Sequence, residues 1–460
     1  MSRAPEFKLE LDDIQSGALR PRPTPYVGTY ILLRIDDREG GRELMRRASE
    51  FVASAAHPES PVSNTWVSLS LSFQGLKALG VPQDSLDTFP VEFQQGMAAR
   101  AKLLGDTGES SPENWEKPLG MPDVHVVITA ISPDEMDLER ALERARQAYK
   151  ELRGINPIWQ QDVHVMPGEK EPFGFRDGIS HPAIEGSGIP STNPKEEPIK
   201  AGDFILGYPD EMGARSTSVR PEILGRNGSY VAFRKLHQRV AEFRKYLKSI
   251  SSSSDEEELI AAKMMGRWRS GAPLARCPLH DDPALGADPK RNNDFLYKQD
   301  DSIGYKTPPG SHIRRMNPRD SDVAGMVRLH RMIRRGTAYG PPLPDGVLED
   351  DGQDRGLMFA FVGAHLGRQF EFVQQHWLQD AEFFNGGHVK DPIVGTNGGA
   401  GTFDIPHRPL RRRLKDLPQF VVTRGGEYCF MPGLRALCWL AALGKANSLS
   451  PLNTINNTPL

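Results

Sequence analysis

Cysteine is nearly absent: Cys277, Cys429 and Cys438 are the 3 in 460 residues, and their spacing matches neither a Cys-x-x-Cys pair nor a zinc-ligand set. They read as structural thiols, in a number that a reducing compartment permits. Long apolar runs are missing too, with none approaching the ~18 residues of a membrane-spanning helix. The segment Met1–Glu10 has neither a signal-peptide apolar core nor a twin-arginine pair, so cytoplasmic residence is the expectation. An excess of one charge is also lacking: 57 Lys and Arg against 60 Asp and Glu leave a net charge of -3, which gives no electrostatic case for nucleic acid. The basic run His407-Arg-Pro-Leu-Arg-Arg-Arg-Leu-Lys415 reads as a solvated face or an anion contact. With 38% hydrophobic and 25% charged residues, the chain is an ordinary globular sequence long enough for two domains.

Hydrophobic periodicity organises it. Val27–Asp36 reads as a buried strand and Gly41–Val52 as an amphipathic helix. Trp66–Phe73 alternates with period two, and Val124–Ile131 leads into a charged helix over Asp134–Arg153. His125 and His164, in strand-like apolar surroundings, read as hydrogen-bonded core histidines. The Gly/Pro/Ser-rich stretch Gly186–Pro194 marks a boundary. Beyond it, a strand from Ser229 runs into a long helix, and Ser249–Glu258 suits a loop followed by a helix N-terminus. Leu357–Val362 followed by Phe370–Trp377 repeats the strand-then-helix theme, Phe420–Phe430 looks like a hairpin around Gly425-Gly426, and the tail from Asn447 reads as loosely ordered.

The most informative stretch is Glu171-Pro-Phe-Gly-Phe-Arg-Asp-Gly-Ile-Ser-His-Pro182, where Asp177 stands among Phe173, Phe175 and Ile179 between two glycines. A carboxylate in such company is costly unless hydrogen-bonded or protonated, and such positions are enriched in acid/base catalysts. Further on come Gly310-Ser-His-Ile-Arg-Arg-Met-Asn-Pro-Arg319 and His330-Arg-Met-Ile-Arg-Arg-Gly-Thr-Ala-Tyr-Gly340, a histidine followed 22 positions later by an arginine. A neutral imidazole ligates iron, and a fixed guanidinium stabilises negative charge on a bound oxygen species.

In this order the segments resemble the dye-decolorizing peroxidase family, whose signature Gly-x-x-Asp-Gly is matched by Gly174-Phe-Arg-Asp-Gly178. The similarity continues through Asp281–Asn293, Arg355-Gly-Leu-Met-Phe359 and Arg424-Gly-Gly-Glu-Tyr428, from about residue 20 onward. The resemblance implies an α+β fold of two ferredoxin-like domains with antiparallel sheets, placed here at 20–185 and 200–460, with haem mainly in the C-terminal one. It implies one non-covalent haem b per chain, since Cys-x-x-Cys-His is absent. It also implies reduction of hydrogen peroxide and oxidation of dyes, phenols and similar organic donors through an oxoferryl intermediate, with no nucleic-acid or membrane partner.

By the same resemblance His312 is the proximal iron ligand, with a carboxylate on its other ring nitrogen; Asp391 is the candidate and Asp404 the alternative. Asp177 is the proton shuttle, its titration shaping the acid limb of the rate profile, and Arg334 stabilises charge as the O–O bond breaks. Leu357 and Phe359 line the pocket, Arg314 pairs with a haem propionate, and Tyr339 and Trp377 are candidate electron relays to the surface. Thr307-Pro-Pro-Gly-Ser-His312 departs from the Cys-Pro-Phe-type lead-in common in relatives, which could shift the proximal loop slightly. A haem carrier or haem-handling protein is the competing reading, disfavoured by the presence of both Asp177 and Arg334; a chlorite-dismutase-like enzyme lacks the Gly-x-x-Asp-Gly signature.

Overall fold

The computed structural model describes residues 8–56, 65–215, 219–321, 326–383 and 389–444. The polar tail from Asn447 lies outside them. Eleven strands are present among these residues: β1 Val27–Ile35, β2 Trp66–Ser72, β3 Val126–Ser132, β4 Ile155–His164, β5 Ser229–Gln238, β6 Ile333–Arg334, β7 Thr337–Tyr339, β8 Gly356–Gly363, β9 Gly401–Ile405, β10 Arg412–Leu417 and β11 Val421–Met431. Nine form one antiparallel sheet in the order β4-β1-β3-β2-β11-β5-β8-β6, with β7 also on β8; β9 and β10 pair separately.

That order contains one motif twice. In the first half, β1, the helix Arg38–Phe51, β2, β3, the helix Glu135–Lys150 and β4 run as βαββαβ, with spatial order 4-1-3-2. In the second half β5, the helices Val240–Ile250 and Ser254–Met265, β6, β8, the helical stretch Leu366–Leu378 and β11 repeat it. The fold is therefore α+β with two ferredoxin-like units. Their sheets meet where β11 lies beside β2, through Cys429 opposite Ser72 and Phe430 opposite Leu71.

Local chemistry explains the helix starts. Asp134 accepts the Asp137 N–H at 2.9 Å, and Ser253 caps the helix that the serine-acidic run announced, accepting from Glu256. His125 is hydrogen-bonded as expected, its Nδ1 accepting the Ile35 N–H at 2.9 Å, but it is half-buried at the core's edge. The basic run is ion-paired within the chain, Arg411 and Arg413 with Asp404 and Arg412 with Glu256. The alternation in β2 does not mark a half-exposed strand, because all seven residues are buried. The N-terminal segment covers its second face, where Ser68 Oγ accepts the Gly17 N–H at 3.2 Å.

The hairpin expected at Gly425-Gly426 is instead the middle of one strand. Both flanks pair with β5, from Val421 opposite Gln238 to Met431 opposite Ser229, and the register shifts between Thr423 and Gly425. The glycines serve a bulge and close packing rather than a turn. Gly425 has φ +137°, and a Cβ there would sit 2.4 Å from that of Leu119. The stretch Leu366–Leu378 is helical as expected, but wound as two wide π-helical segments, Leu366–Glu371 and Val373–Leu378.

Candidate active site

β5, β8 and β11 present one face to a slot, and the π-helical stretch, with the short helix His312–Met316, closes the other side. Along β8, Met358 and Ala360 point into the sheet's opposite core, while Leu357 and Phe359 face a cavity of about 170 Å³. Leu236, Val421, Phe370, Val373 and Leu378 add to its apolar lining. A second cavity of about 160 Å³ adjoins it, sharing Leu236, Leu357, Val394 and Val421, along with His312, Asp177 and Arg334.

His312 enters on the short helix, and its Nδ1 lies 2.9 Å from Asp391 Oδ2. Asp391 is fully buried, and its Oδ1 accepts the N–H groups of Ile393 and Val394 at 2.8 and 2.9 Å. Burial alone would raise this carboxyl, but the charge and hydrogen bond of His312, Arg315 and the Val394 amide hold it below its ordinary value. An ionised carboxylate can only accept, so it takes the Nδ1 proton, and Nε2 is the ring nitrogen left to face a metal. Asp404, the alternative partner, is engaged with Arg411 and Arg413.

Arg334 projects from β6 into both cavities, and its Nη2 donates to the Ser180 carbonyl at 2.8 Å, which ties it to the loop bearing Asp177. Burial lowers its pKa, the charge of Asp177 opposing. Gly174 and Gly178, at φ +92° and +78°, turn that loop so that Phe173 and Phe175 pack inward and Asp177 looks into the cavity. Asp177 is therefore not the buried acid that its apolar neighbours suggested, its side chain being 41% exposed. That acid is Glu171, whose carboxylate accepts the N–H groups of Phe173 and Phe175 and the Gln238 amide, with burial pushing its pKa up.

Arg314 is not brought to the site. Two residues along a helix point to nearly opposite sides, so with His312 toward the cavity Arg314 faces away. Its guanidinium binds Asp301 and the Thr307 carbonyl and lies 4.3 Å from the centre of the Tyr297 ring. Besides Arg334 and Arg176, the second cavity is bordered by Arg267 and Arg319, each fixed by loop carbonyls and by Asn293. Sequence spacing carried no sign of them, since their neighbours come from distant loops. Tyr339 and Trp377 are each 1% exposed and lie outside the cavity walls. Tyr339 donates to Asp354 at 3.1 Å, and Trp377 packs edge-on to His330 and Phe372.

His181 also reaches the first cavity and is half-buried. Burial, followed by the charges of Arg335, Arg334, Arg22 and Arg331, drives its pKa well below the ordinary histidine value. It is a neutral ring, and its Nδ1 has no hydrogen-bond partner among the described residues.

Comparison with known proteins agrees with this geometry. Residues 41–161 match the DyP dimeric alpha+beta barrel domain. The chain is 34% identical over 408 residues to Peroxidase 2 of Mycetinis scorodonius, covering 81% of this chain and 76% of that one. It is 33% identical over 450 residues to the dye-decolorizing peroxidase of Exidia glandulosa, covering 93% and 86%. The chain belongs to the dye-decolorizing peroxidase family. A solved dye-decolorizing peroxidase in complex with 2,6-dimethoxyphenol superposes with a TM-score of 0.81 at 30% identity, covering 94% of this chain and 100% of that one. The slot suits the family's haem: flat apolar walls, an imidazole with one nitrogen free, and buried arginines at one side. No helix among the described residues is long and apolar enough to cross a membrane.

Proposed function

We propose that this chain is a haem peroxidase that reduces hydrogen peroxide and oxidises organic donors such as dyes and phenols. The observation that carries the reading is a carboxylate-backed histidine sharing one apolar slot with an acid and a half-buried guanidinium. His312 would hold the iron through Nε2, and Asp391 makes that nitrogen a stronger donor by drawing on the Nδ1 proton. Leu357, Phe359 and the π-helical wall exclude water and hold the ring by packing alone. When bound, haem supplies the redox-active iron that takes two oxidising equivalents from peroxide and returns them to donors one electron at a time.

The chain's own part in that exchange is proton and charge handling. Asp177 takes a proton from the nearer peroxide oxygen and delivers it to the departing one, so water leaves. The Arg334 guanidinium, fixed by Ser180, stabilises the charge that develops on the departing oxygen. Donors too large for the slot give up electrons at the surface. Tyr339 could pass them inward while Asp354 receives the phenolic proton, and Trp377 could do so through Phe372 and the exposed His376.

Haem reconstitution followed by absorption spectroscopy tests the assignment. His312→Ala is expected to lose or strongly weaken haem binding. Asp177→Asn is expected to bind haem normally but react with peroxide about 10² to 10⁴-fold more slowly. An unchanged rate in that variant removes Asp177 from the proposed role.

A further inference from the structure

Arg22 belongs to the proline-rich segment Arg20-Pro-Arg-Pro-Thr-Pro25, which carries no motif, yet the fold lays this side chain against Asp177. Its Nη1 is 3.9 Å from Asp177 Oδ2 and donates to the Gly336 carbonyl, and its guanidinium lies 4.0 Å from the centre of the Tyr26 ring. Tyr26 is itself held, its hydroxyl accepting the Ala338 N–H at 2.7 Å. The guanidinium is thus clamped between a ring and a carbonyl from two distant parts of the chain.

Arg22 also stands at a partition. Beyond the inner cavity lies a third, of about 320 Å³, bordered by the exposed residues Thr24, Ala287 and Pro289. Arg22, Asp177, Gly178 and Leu357 line both the inner and this outer space, so they form the wall between them. Leu357 and Gly178 offer no polar atom beyond the backbone, and Asp177 is the group the peroxide must meet. Arg22 is the long side chain of the four, able to swing aside when its contacts to Gly336 and Tyr26 release.

We propose that Arg22 is the gate of the peroxide path and the positioning residue for Asp177, and that it makes this chain selective for hydrogen peroxide over bulkier hydroperoxides. The proposal rests on the peroxidase reading above. Hydrogen peroxide is small and both donates and accepts hydrogen bonds, so it passes by exchanging contacts with the guanidinium. An alkyl hydroperoxide needs the guanidinium displaced from its clamp.

The haem-loaded protein, its Arg22→Ala variant and its Arg22→Lys variant are compared in two measurements. In stopped flow, the ratio of rate constants for hydrogen peroxide and tert-butyl hydroperoxide is expected to fall at least tenfold in Arg22→Ala. Arg22→Lys, which keeps a long cation in the partition, retains most of it. In equilibrium titrations followed by the Soret band, without turnover, Arg22→Ala is expected to bind imidazole at least tenfold more tightly while cyanide affinity changes little. A selective wild type whose peroxide ratio and imidazole affinity are both unmoved in Arg22→Ala overturns the gate and leaves the peroxidase reading standing. A wild type that loads haem yet reacts with neither peroxide overturns both.

Discussion

Glu427 lies within β11, buried, with its Oε1 accepting the N–H groups of Met97 and Tyr428 at 2.9 and 2.8 Å. Burial pushes its carboxyl up to about 7, the two amides opposing. Between the ordinary glutamate value and about 7 the folded protein holds a proton that the unfolded chain has released. This side chain's contribution to stability is therefore greatest in acid, falls as pH rises through that window, and is constant above it. Glu427→Gln keeps the accepting oxygen and removes the titration. Relative to wild type it should gain about 2 to 3 kcal/mol on going from pH 5 to pH 8, read from denaturant midpoints; parallel curves at both pH values refute it. At this scale the sequence was legible where chemistry is local. The histidine with its carboxylate, and the acid and arginine of the motifs, all reach one slot. The misplacements were geometric: Arg314 follows the ligand at the wrong helical spacing, and the buried acid is Glu171 rather than Asp177, because the glycine turns reverse the direction of the loop. Arg22 and Arg319 owe their positions to long-range packing, for which a single sequence has no period to read.

The π-helical stretch shows how an element can be recognised without its winding. A strand-then-helix pattern predicts a helix over Phe370–Trp377, but widening is set by contacts that only the fold creates. Three polar side chains within four residues fasten one end. Arg368 bridges Asp203 and Asp210 at 2.8 and 3.0 Å; Gln369 donates to the carbonyls of Asp203 and Arg331, both at 2.8 Å; and Glu371 pairs with Arg100 and accepts from Tyr428. Wide turns of this kind recur where a helix lines a functional cavity. Here they bring Phe370, Val373, Gln374 and Leu378 to the slot. Gln369 is fully buried, and its Oε1 also accepts the His365 N–H at 3.0 Å. Gln369→Leu leaves the Arg331 carbonyl and the His365 amide without partners, while the Asp203 carbonyl keeps the Ala364 N–H at 2.9 Å, at a cost of about 2 to 5 kcal/mol. Its melting temperature should fall by several degrees, and haem should leave it faster in transfer to a scavenger protein. A variant as stable as wild type would place the widening elsewhere, in Arg368 and Glu371.

The two halves share a strand-and-helix rhythm in the sequence, and the family resemblance implies two ferredoxin-like units, but their joining edge to edge is legible in neither. That joint rests on two opposed residue pairs between β2 and β11, and strand alternation cannot say which edges meet. The same joint distributes the slot over the whole chain. Residues from Arg22 to Thr423 line it, with Arg22, Asp106, Ser110, Asp177 and His181 coming from the first half. Arg234 of β5 is bound there to Asp106 and Thr423, so a C-terminal unit alone would bury a guanidinium stripped of its carboxylate. We therefore expect the isolated segment 200–460 to fail in two separable ways. The edge of β11 normally covered by β2 becomes available for pairing, so the fragment should elute as mixed oligomers in size-exclusion chromatography. Its slot lacks the acid, so any fragment that does take up haem through His312 should show a ligated Soret band without fast reaction with peroxide. Adding the segment 20–185 in trans should restore both properties together, because one interface supplies the missing strand and the missing acid. A monomeric fragment that reacts with peroxide as fast as the full chain would show that the second half carries the chemistry unaided, and would refute this view of a site built by both.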